Sequence, residues 1–494
     1  MIEPISINIE DLNIPSLLPM MIAIVGALLI LCIDLATKNL HKSLYVMLTI
    51  LVLLIDLGTV IGYSGTTRGF FDVMFIDGIS ILAQVIIIVA SGIFVLLALS
   101  AQRFHEYKYP EFFALFLFMV AGFQFMVTSD NLILIFVGLE TASLALYVLI
   151  AMHNRDRSTE AAIKYFTMGA VSASFFAFGS MVFYALTGSV ELGQISSHLV
   201  ATNFENYPLI LLGVVFILGA LSFKLSLVPF HTWAPDVYDG SSAALAGYIS
   251  VVPKIAAFVV ALRFFEIFIS VDNQWIELIL YIIIVLTMTI PNMAALLQKD
   301  VKRMLAYSSI SHAGFVMAAI LVGTTQATEG LFLYWILFAF TNLGAFGMLW
   351  MHRNKQKDGY ASDHRFEKFS GLVKSSPIAA ALMGIFLLSL AGVPPFSVFW
   401  GKMFLISATI NAGYVILAVI MVLNSAIAAY YYLKLIVYMY LKEPEPDNES
   451  LCMANSSSSV KTLIGITAFM TVGSVLFIDP LLDIISMYVE ISGY

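Results

Sequence analysis

Four lysines lie inside strongly apolar stretches of the sequence, where charged side chains are rare. They are Lys164, Lys224, Lys254 and Lys402, and Glu140 stands in a comparable stretch, ILIFVGLETASLALYVLI. A charge at the centre of a lipid bilayer costs at least about 2.5–3.5 kcal/mol on insertion scales, so such residues usually mark an ion pathway. A buried lysine can hold or release a proton according to the charges around it. Together, these residues predict a proton relay inside a membrane.

The composition independently predicts a membrane protein. The chain of 494 residues is 60% hydrophobic and 11% charged, whereas soluble proteins average about 45–50% apolar and about 25% charged residues. Apolar runs of about 20 residues, each long enough to cross the hydrocarbon core, predict about 14 spans. The alternation typical of barrel strands is absent, so the spans are predicted to be helices. They are residues 15–34, 43–63, 75–99, 111–128, 131–152, 160–186, 207–231, 242–268, 275–297, 303–322, 329–351, 378–408, 412–441 and 462–487.

Lysine and arginine alternate between successive predicted loops. The loops after odd-numbered spans are basic, as Lys38, Arg155 and Lys374 illustrate, whereas the other loops hold Arg68, with Arg263 near a helix end. Basic loops stay in the cytoplasm, and acidic residues contribute little to this rule. The pattern therefore predicts that both termini lie on the outer, periplasmic side of the cell inner membrane.

Two segments place proline inside an apolar run, followed by phenylalanine and a further aromatic residue. They read LSFKLSLVPFHTWAPD at 221–236 and LSLAGVPPFSVFWGKM at 388–403. Pro229 and Pro395 are predicted to break their helices. An odd number of spans separates the two segments, so they cross in opposite directions. This arrangement predicts two inverted five-helix repeats, spans 4–8 and 9–13, each containing a broken helix.

The same pattern divides the chain into parts, none of which is a soluble domain. The parts are an N-terminal three-helix segment (1–110), the first repeat (111–270), the second repeat (271–441), and a loop with the last helix (442–494). The longest polar stretches are 352–376 and 442–461, which are predicted to be cytoplasmic linkers. The second of them has a disordered composition.

The motifs FKLSLVPFHTWAPDVYDG, EAAIKYF, KRMLAYSSISHAGF and LAGVPPFSVFWGK resemble those of the antiporter-like membrane subunits of respiratory complex I, the proton-translocating NADH:quinone oxidoreductase. The resemblance covers essentially spans 4–13. It implies an all-α polytopic fold and proton translocation driven by quinone reduction in other subunits. It also implies that Glu140 pairs with Lys224, that Lys254 is central, that Lys402 is the terminal site, and that Lys164 is a further family lysine.

Within this family, lysine rather than glutamate at 402 and a chain end near Tyr494 without a long lateral helix separate the sequence from two of the subunit types. His312, in SSISHAGF, is a further relay candidate because imidazole both accepts and donates protons near neutral pH. Structural alternatives remain open. A lysine near a helix end can extend to the interface, Glu140 can serve only as a helix partner, and His312 can be a packing residue.

No cofactor is predicted in this chain. Cys32 and Cys452 share no ligand spacing, and paired haem ligands and a GxGxxG motif after a strand are absent from the sequence. The resemblance therefore implies a translocase subunit whose flavin, iron–sulfur clusters and quinone belong to partner subunits. The expected partners are other membrane and peripheral subunits of that complex, neighbouring antiporter-like subunits and lipid, but not nucleic acid. The alternatives are a subunit of a multi-subunit cation/proton antiporter and, less favoured, a chain that itself reduces quinone.

Overall fold

The chain is an all-α, multi-pass membrane protein, as the sequence predicts. The computed structural model describes residues 12–37, 41–98, 109–270, 273–351, 353–356, 359–361, 363–443, 451–452 and 457–493. Within these residues, 13 helices are long and apolar enough to cross a membrane. The predicted basic loop position Lys38 lies outside the described residues.

The α-helices of the described chain follow one another with short connections. They are α1 (Leu18–Ala36), α2 (Lys42–Ile61), α3 (Gly78–Ala98), α4 (Pro110–Val127), α5 (Leu132–Ala151), α6 (Asp156–Thr187), α7 (Leu192–Ala201), α8 (Tyr207–Leu225), α9 (Trp233–Gly240), α10 (Ala243–Ile269), α11 (Gln274–Leu296), α12 (Val301–Val322), α13 (Thr325–Met351), α14 (Leu372–Ser375), α15 (Pro377–Ala391), α16 (Ser397–Asn411), α17 (Val415–Leu441), α18 (Ser458–Gly473) and α19 (Ile478–Ile491). A 3₁₀ turn, Ser474–Phe477, joins α18 to α19, so the last predicted span is interrupted near its middle.

Short strands occur only outside the spans of the described chain. They are β1 (Thr67–Gly69), β2 (Met74–Ile76), β3 (Arg353–Gln356), β4 (Gly359–Ala361) and β5 (Leu451–Cys452). Strands β1 and β2 form an antiparallel hairpin, and β3 lies between β4 and β5 with antiparallel pairing on both sides. The β3–β5 pairing joins the two long polar loops, which the sequence predicted to be separate linkers.

Both predicted helix breaks are present. Helix α8 ends at Leu225, four residues before Pro229, because the left-handed conformation of Ser226 (φ 60°) stops the helix. In the second segment α15 stops before Gly392 (φ 82°), and α16 begins at Ser397. The predicted span 378–408 therefore crosses as two half-helices of 15 residues each. This division explains why 13 continuous helical segments of the described chain, rather than 14, reach spanning length.

The helices at the centre of the bundle are α10, α12 and α13. The apolar window of α10 is entirely buried, and those of α12 and α13 are 89% buried, whereas α1, α2, α11 and α17 expose much of their apolar surface. Lipid is as apolar as leucine, so close packing and hydrogen bonds, rather than hydrophobic burial, hold such a bundle together. Lys254, near the middle of α10, is therefore enclosed by protein and separated from lipid.

Glycines set the close approach of α4 and α5. A Cβ atom at Gly122 would lie 2.6 Å from the backbone nitrogen of Ala142, and one at Gly138 would lie 2.7 Å from the carbonyl oxygen of Gly122. Small residues allow two helix backbones to approach this closely. The contact fixes α5, which carries Glu140 two residues after Gly138.

The two predicted five-helix units correspond to α4–α10 and α11–α17, and each contains one interrupted span. The inverted relation of these units and the boundaries of the four predicted parts remain predictions.

Candidate functional site

Lys224 lies in the last turn of α8, immediately before the break. Its side chain is buried, and Nζ donates a hydrogen bond of 2.5 Å to the hydroxyl of Ser143 on α5. The carbonyl of the preceding residue, Phe223, accepts a 2.9 Å hydrogen bond from the indole nitrogen of Trp233 beyond the break. The last carbonyls of a helix are left without helical partners and carry partial negative charge, which favours a cation at this position. The interruption of α8 therefore creates the polar environment that a buried ammonium group needs.

Glu140 lies on α5, one turn before Ser143, and is partly buried. The Glu140 carboxylate and the Lys224 ammonium group influence each other electrostatically but do not form a direct ion pair. The Ser143 hydroxyl accepts from Lys224 and donates to the carbonyl of Leu139. Oε1 of Glu140 is buried without a hydrogen-bond partner among the described residues. The structure thus brings the predicted pair together, with a serine beside them that the sequence analysis did not identify.

Lys254 lies in the middle of α10 and is 1% exposed. Its Nζ donates to the carbonyl of Ser309 on α12 at 2.7 Å and lies 3.2 Å from the Ser309 hydroxyl. That hydroxyl is 3.5 Å from the hydroxyl of Tyr238 on α9. Lys254 is too deep in the bundle to extend to a membrane interface, which removes that alternative for this residue.

His312 follows Ser309 by three residues, so the two residues share one face of α12. Its Nδ1 is hydrogen-bonded to the hydroxyl of Tyr334 on α13, and its Nε2 is 3.1 Å from the hydroxyl of Tyr432 on α17. The positive charges of Lys254 and Lys402 both act on this ring. His312 therefore lies electrostatically between two of the predicted relay lysines, and both of its nitrogens have partners.

Lys402 lies in α16 and is 5% exposed. Its Nζ donates to the carbonyls of Leu390 and Ala391 at 3.1 and 3.2 Å, across the break. These carbonyls end α15, where helical partners are missing. Nζ also lies 6.0 Å from the ring centre of Phe315 on α12, which is within the range of a cation–π contact. The two half-helices together, rather than α16 alone, form the environment of Lys402.

Lys164 occupies a different environment from the other four charged residues. Its side chain is 44% exposed and contacts Glu160 at 2.7 Å and Asp236 of α9 at 3.1 Å. Arg303 reaches the same Asp236 carboxylate at 3.0 Å. Burial acts to raise the pKa of Asp236, but the hydrogen bonds and charges of Lys164 and Arg303 together hold that pKa below its usual value. The structure places Lys164 in an ion cluster at the end of the bundle.

A second buried carboxylate lies outside this set. Asp56 on α2 is fully buried, and both of its oxygens accept from Nε2 of Gln124 on α4, at 3.0 and 2.8 Å. The structure gives it an amide partner within the N-terminal half of the chain.

The neutral groups that contact the charged side chains were not predicted from the sequence. Ser143, Ser309, Tyr238, Tyr334 and Tyr432 come from five different helices. A signal was available for two of them, because Ser143 follows Glu140 by one turn and Ser309 precedes His312 by one turn. The tyrosines gave no such signal among the many aromatic residues of the chain. The described residues contain no cluster of three or more histidine, cysteine, aspartate or glutamate side chains suited to a metal ion.

A helical membrane bundle with buried lysines beside two broken helices defines the class of antiporter-like ion-translocating proteins. The family model described as "NADH:quinone oxidoreductase/Mrp antiporter, TM" matches residues 129–428. A curated relative from Sulfurimonas denitrificans, NADH-quinone oxidoreductase subunit N, is 60% identical over the full length of both chains. The protein therefore belongs to the NADH-quinone oxidoreductase subunit N family, as its motifs predicted.

Solved structures share the fold. A chain of respiratory complex I from Thermus thermophilus with bound aureothin is 28% identical, with a TM-score of 0.80, and the match covers 94% of this chain and 98% of that one. A chain of the Mrp complex from Dietzia sp. DQ12-45-1b is 18% identical, with a TM-score of 0.82 and coverage of 97% of each chain. At that identity the Mrp similarity is one of fold alone. The sequence identities favour the oxidoreductase interpretation over the antiporter alternative.

Proposed function

We propose that Glu140, Lys224, Lys254, His312 and Lys402 form a proton relay through this chain. One observation carries the proposal. Three buried ammonium groups each donate to a hydroxyl or carbonyl on another helix, at distances of 2.5 to 3.2 Å. A charge inside a membrane bundle is costly unless it is functional and partnered, so three such charges in one bundle support transport over packing.

As a member of this family, the chain is a proton-translocating membrane subunit of NADH:quinone oxidoreductase. It takes part in the enzyme as a translocase component, and electron transfer takes place in other subunits. The flavin, iron–sulfur clusters and quinone of the reaction are assigned to those partner subunits. We place the complex in the cell inner membrane, with both termini of this chain on the periplasmic side.

The first part of the proposed relay is an acid–base pair, Glu140 and Lys224. The remaining part consists of basic residues alone. Lys224 is hydrogen-bonded to Ser143 on α5, the helix that also carries Glu140, and the charges of Glu140 and Lys224 act on each other. A change in the charge of either residue therefore changes how readily the other binds its proton. Like charges about 10 Å apart repel by about 1.7 kcal/mol at an effective dielectric constant of about 20. That energy changes a protonation equilibrium more than tenfold. Protonation of one lysine therefore favours loss of the proton from a neighbouring lysine, and no large movement of the helices is needed.

Uptake of protons is assigned to a polar cavity at the same end of the bundle as Lys164. The cavity has a volume of about 410 Å³ and is lined by Asp239, Ser241 and Lys302, among others. Tyr238 adjoins this lining, and its hydroxyl lies near that of Ser309, the partner of Lys254. A hydroxyl can accept one proton and donate another, so Tyr238 and Ser309 offer a route from the cavity to Lys254.

The proposal is tested in the whole complex, purified and reconstituted into proteoliposomes. The substitution Lys254→Met keeps the length of the side chain and removes its charge. It is expected to reduce NADH-driven proton pumping by at least tenfold in assembled complex. The matched control is Lys434→Met on α17, because Lys434 lies 4.7 Å from the ring centre of Phe366 and takes no part in the relay. Equal pumping by the two variants would overturn the relay.

A further inference from the structure

Four buried hydroxyl groups meet at the break between α15 and α16. The Thr341 hydroxyl of α13 lies 3.2 Å from that of Ser389, 3.1 Å from that of Ser397 and 3.3 Å from that of Thr471 on α18. The hydroxyls of Ser389 and Ser397 are 3.1 Å apart. None of the four side chains is more than 1% exposed. We refer to Thr341, Ser389, Ser397 and Thr471 as the hydroxyl cluster.

The hydroxyl cluster is next to Lys402 on both sides of the break. On α15, Ser389 directly precedes Leu390, whose carbonyl accepts from Lys402. On α16, the Ser389 hydroxyl accepts from the backbone nitrogen of Val398 at 3.3 Å. Val398 and Lys402 are four residues apart and share one helix face, so one helical turn separates them. The ammonium group and the cluster are therefore neighbours on the same interrupted span.

The hydroxyl cluster continues along the last span. Ser474 follows Thr471 by three residues, where α18 gives way to the 3₁₀ turn. It is 7% exposed, and its hydroxyl is buried without a hydrogen-bond partner among the described residues. In most proteins, a buried hydroxyl group with a purely structural role has a hydrogen-bond partner. The unpaired hydroxyl of Ser474 follows the hydroxyl cluster by about one turn and can serve as the next group in a chain of hydroxyls.

We propose that the hydroxyl cluster conducts the proton released by Lys402 to Ser474 on the last span. The proposal rests on the proposed release role of Lys402. In this step the flexible lysine side chain turns from the two carbonyls towards Ser389 and transfers one proton. Each hydroxyl then accepts a proton on its oxygen and passes on its own, and Ser474 gives the last proton to a water molecule. The hydroxyls rotate back afterwards, and no other bond changes.

The alternative is that the hydroxyl cluster only clamps the two half-helices to α13 and α18. The substitution Thr471→Val separates the two roles, because it keeps the shape of the side chain and removes its hydroxyl. We expect it to lower the number of protons pumped per electron by at least threefold in reconstituted complex. Thr471→Ser retains the hydroxyl and is expected to restore the ratio.

The matched control is Thr467→Val, one turn earlier on the same face of α18. Thr467 is also buried, but its hydroxyl bonds only to the carbonyl of Ile464 in its own helix. Equal ratios for Thr471→Val and Thr467→Val would overturn the conduction role. If Thr471→Val does not assemble, Ser474→Ala decides, since it removes a hydroxyl without breaking a bond and is expected to lower the ratio. A wild-type ratio for Ser474→Ala in that case would likewise overturn the proposal.

Lys402→Ala is measured in parallel. Normal pumping by that variant would refute the relay itself. Loss of pumping in Lys402→Ala together with a normal Thr471→Val would refute only the hydroxyl route. The two proposals therefore fail separately.

Discussion

The ammonium group of Lys402 donates a 3.1 Å hydrogen bond to the carbonyl oxygen of Leu390, across the break that separates α16 from α15. Three aromatic residues, Phe396, Phe399 and Trp400, shortly precede Lys402 in the sequence. The structure adds the carbonyl end of a half-helix, whose partial negative charge stabilises a cation. The carbonyl groups at the break therefore stabilise the protonated form of Lys402, and movement of either half-helix changes this stabilisation.

Lys402→Arg tests whether this residue must lose its proton. Arginine can donate to the same carbonyls but does not deprotonate at accessible pH. We expect the variant to pump almost as poorly as Lys402→Ala in proteoliposomes, at least tenfold below wild type. A rate for Lys402→Arg close to wild type would leave Lys402 with an electrostatic role only.

Ser143→Ala tests the hydrogen bond that links Lys224 to α5, the helix that carries Glu140. The hydroxyl accepts the hydrogen bond of the Lys224 ammonium group, and leaving a buried charged donor without its partner costs about 1.5–3 kcal/mol. We therefore expect pumping to fall at least tenfold while the complex still assembles, as judged by native gel. Ser180→Ala on α6 is the control, because that buried hydroxyl bonds only to its own helix, at Phe176. If both variants pump equally, Ser143 has no part in the link.

Glu140→Ala tests the acidic member of the relay. The substitution removes a negative charge that acts on the buried Lys224 ammonium group, so assembly is measured separately from pumping. We expect an assembled complex with strongly reduced pumping, and Glu140→Asp to keep part of it. Normal pumping by fully assembled Glu140→Ala complex would refute the role of this carboxylate.

Lys164→Arg should behave differently from Lys402→Arg. Lys164 contacts two carboxylates in a half-exposed ion cluster, where a permanent charge suffices. We expect Lys164→Arg to pump as wild type, and Lys164→Gln to lower stability only slightly, measured as a small shift in Tm. A pumping defect in Lys164→Arg would indicate that Lys164 takes part in the proton relay.

The pH dependence of the same ion cluster follows from Asp236. Its pKa lies below the usual value, so the carboxylate contributes stability above its unfolded pKa and loses it as pH falls through the folded one. Between about pH 5 and about pH 8 the group stays ionised. The Tm difference between wild type and Lys164→Gln should therefore be constant over that range. A difference that changes near neutral pH would indicate another titrating group in the cluster.

The orientation is tested by cysteine labelling. In a background with Cys32 and Cys452 replaced by serine, cysteines at Ser197 and Asn411, both exposed, should react with an impermeant reagent from the periplasmic side. A cysteine at Lys374, which is exposed at the opposite end, should react only after the membrane is permeabilised. The reverse pattern would invert the proposed topology.

The sequence alone determined the class of fold and most of the charged site. Runs of apolar residues fix the spans because a helix must be long enough to cross the hydrocarbon core and must satisfy its own backbone. Proline indicates a break because it removes a backbone donor. Pro229 lies in the first interruption and Pro395 in the second, although the helices end at the left-handed residues Ser226 and Gly392. Charged residues are rare in such runs, so the sequence alone was enough to identify Lys224, Lys254 and Lys402 as candidates.

Only the tertiary structure decided which neutral groups meet these charges. Ser143, Thr341 and Thr471 are ordinary small residues of apolar helices, and their importance arises from contacts with helices distant in sequence. The position of Lys164 was also undecided, because α6 begins four residues before the predicted span and α9 brings Asp236 beside it. Hydrogen bonds are short and directional, so helix packing, rather than local sequence, determines which donor meets which acceptor.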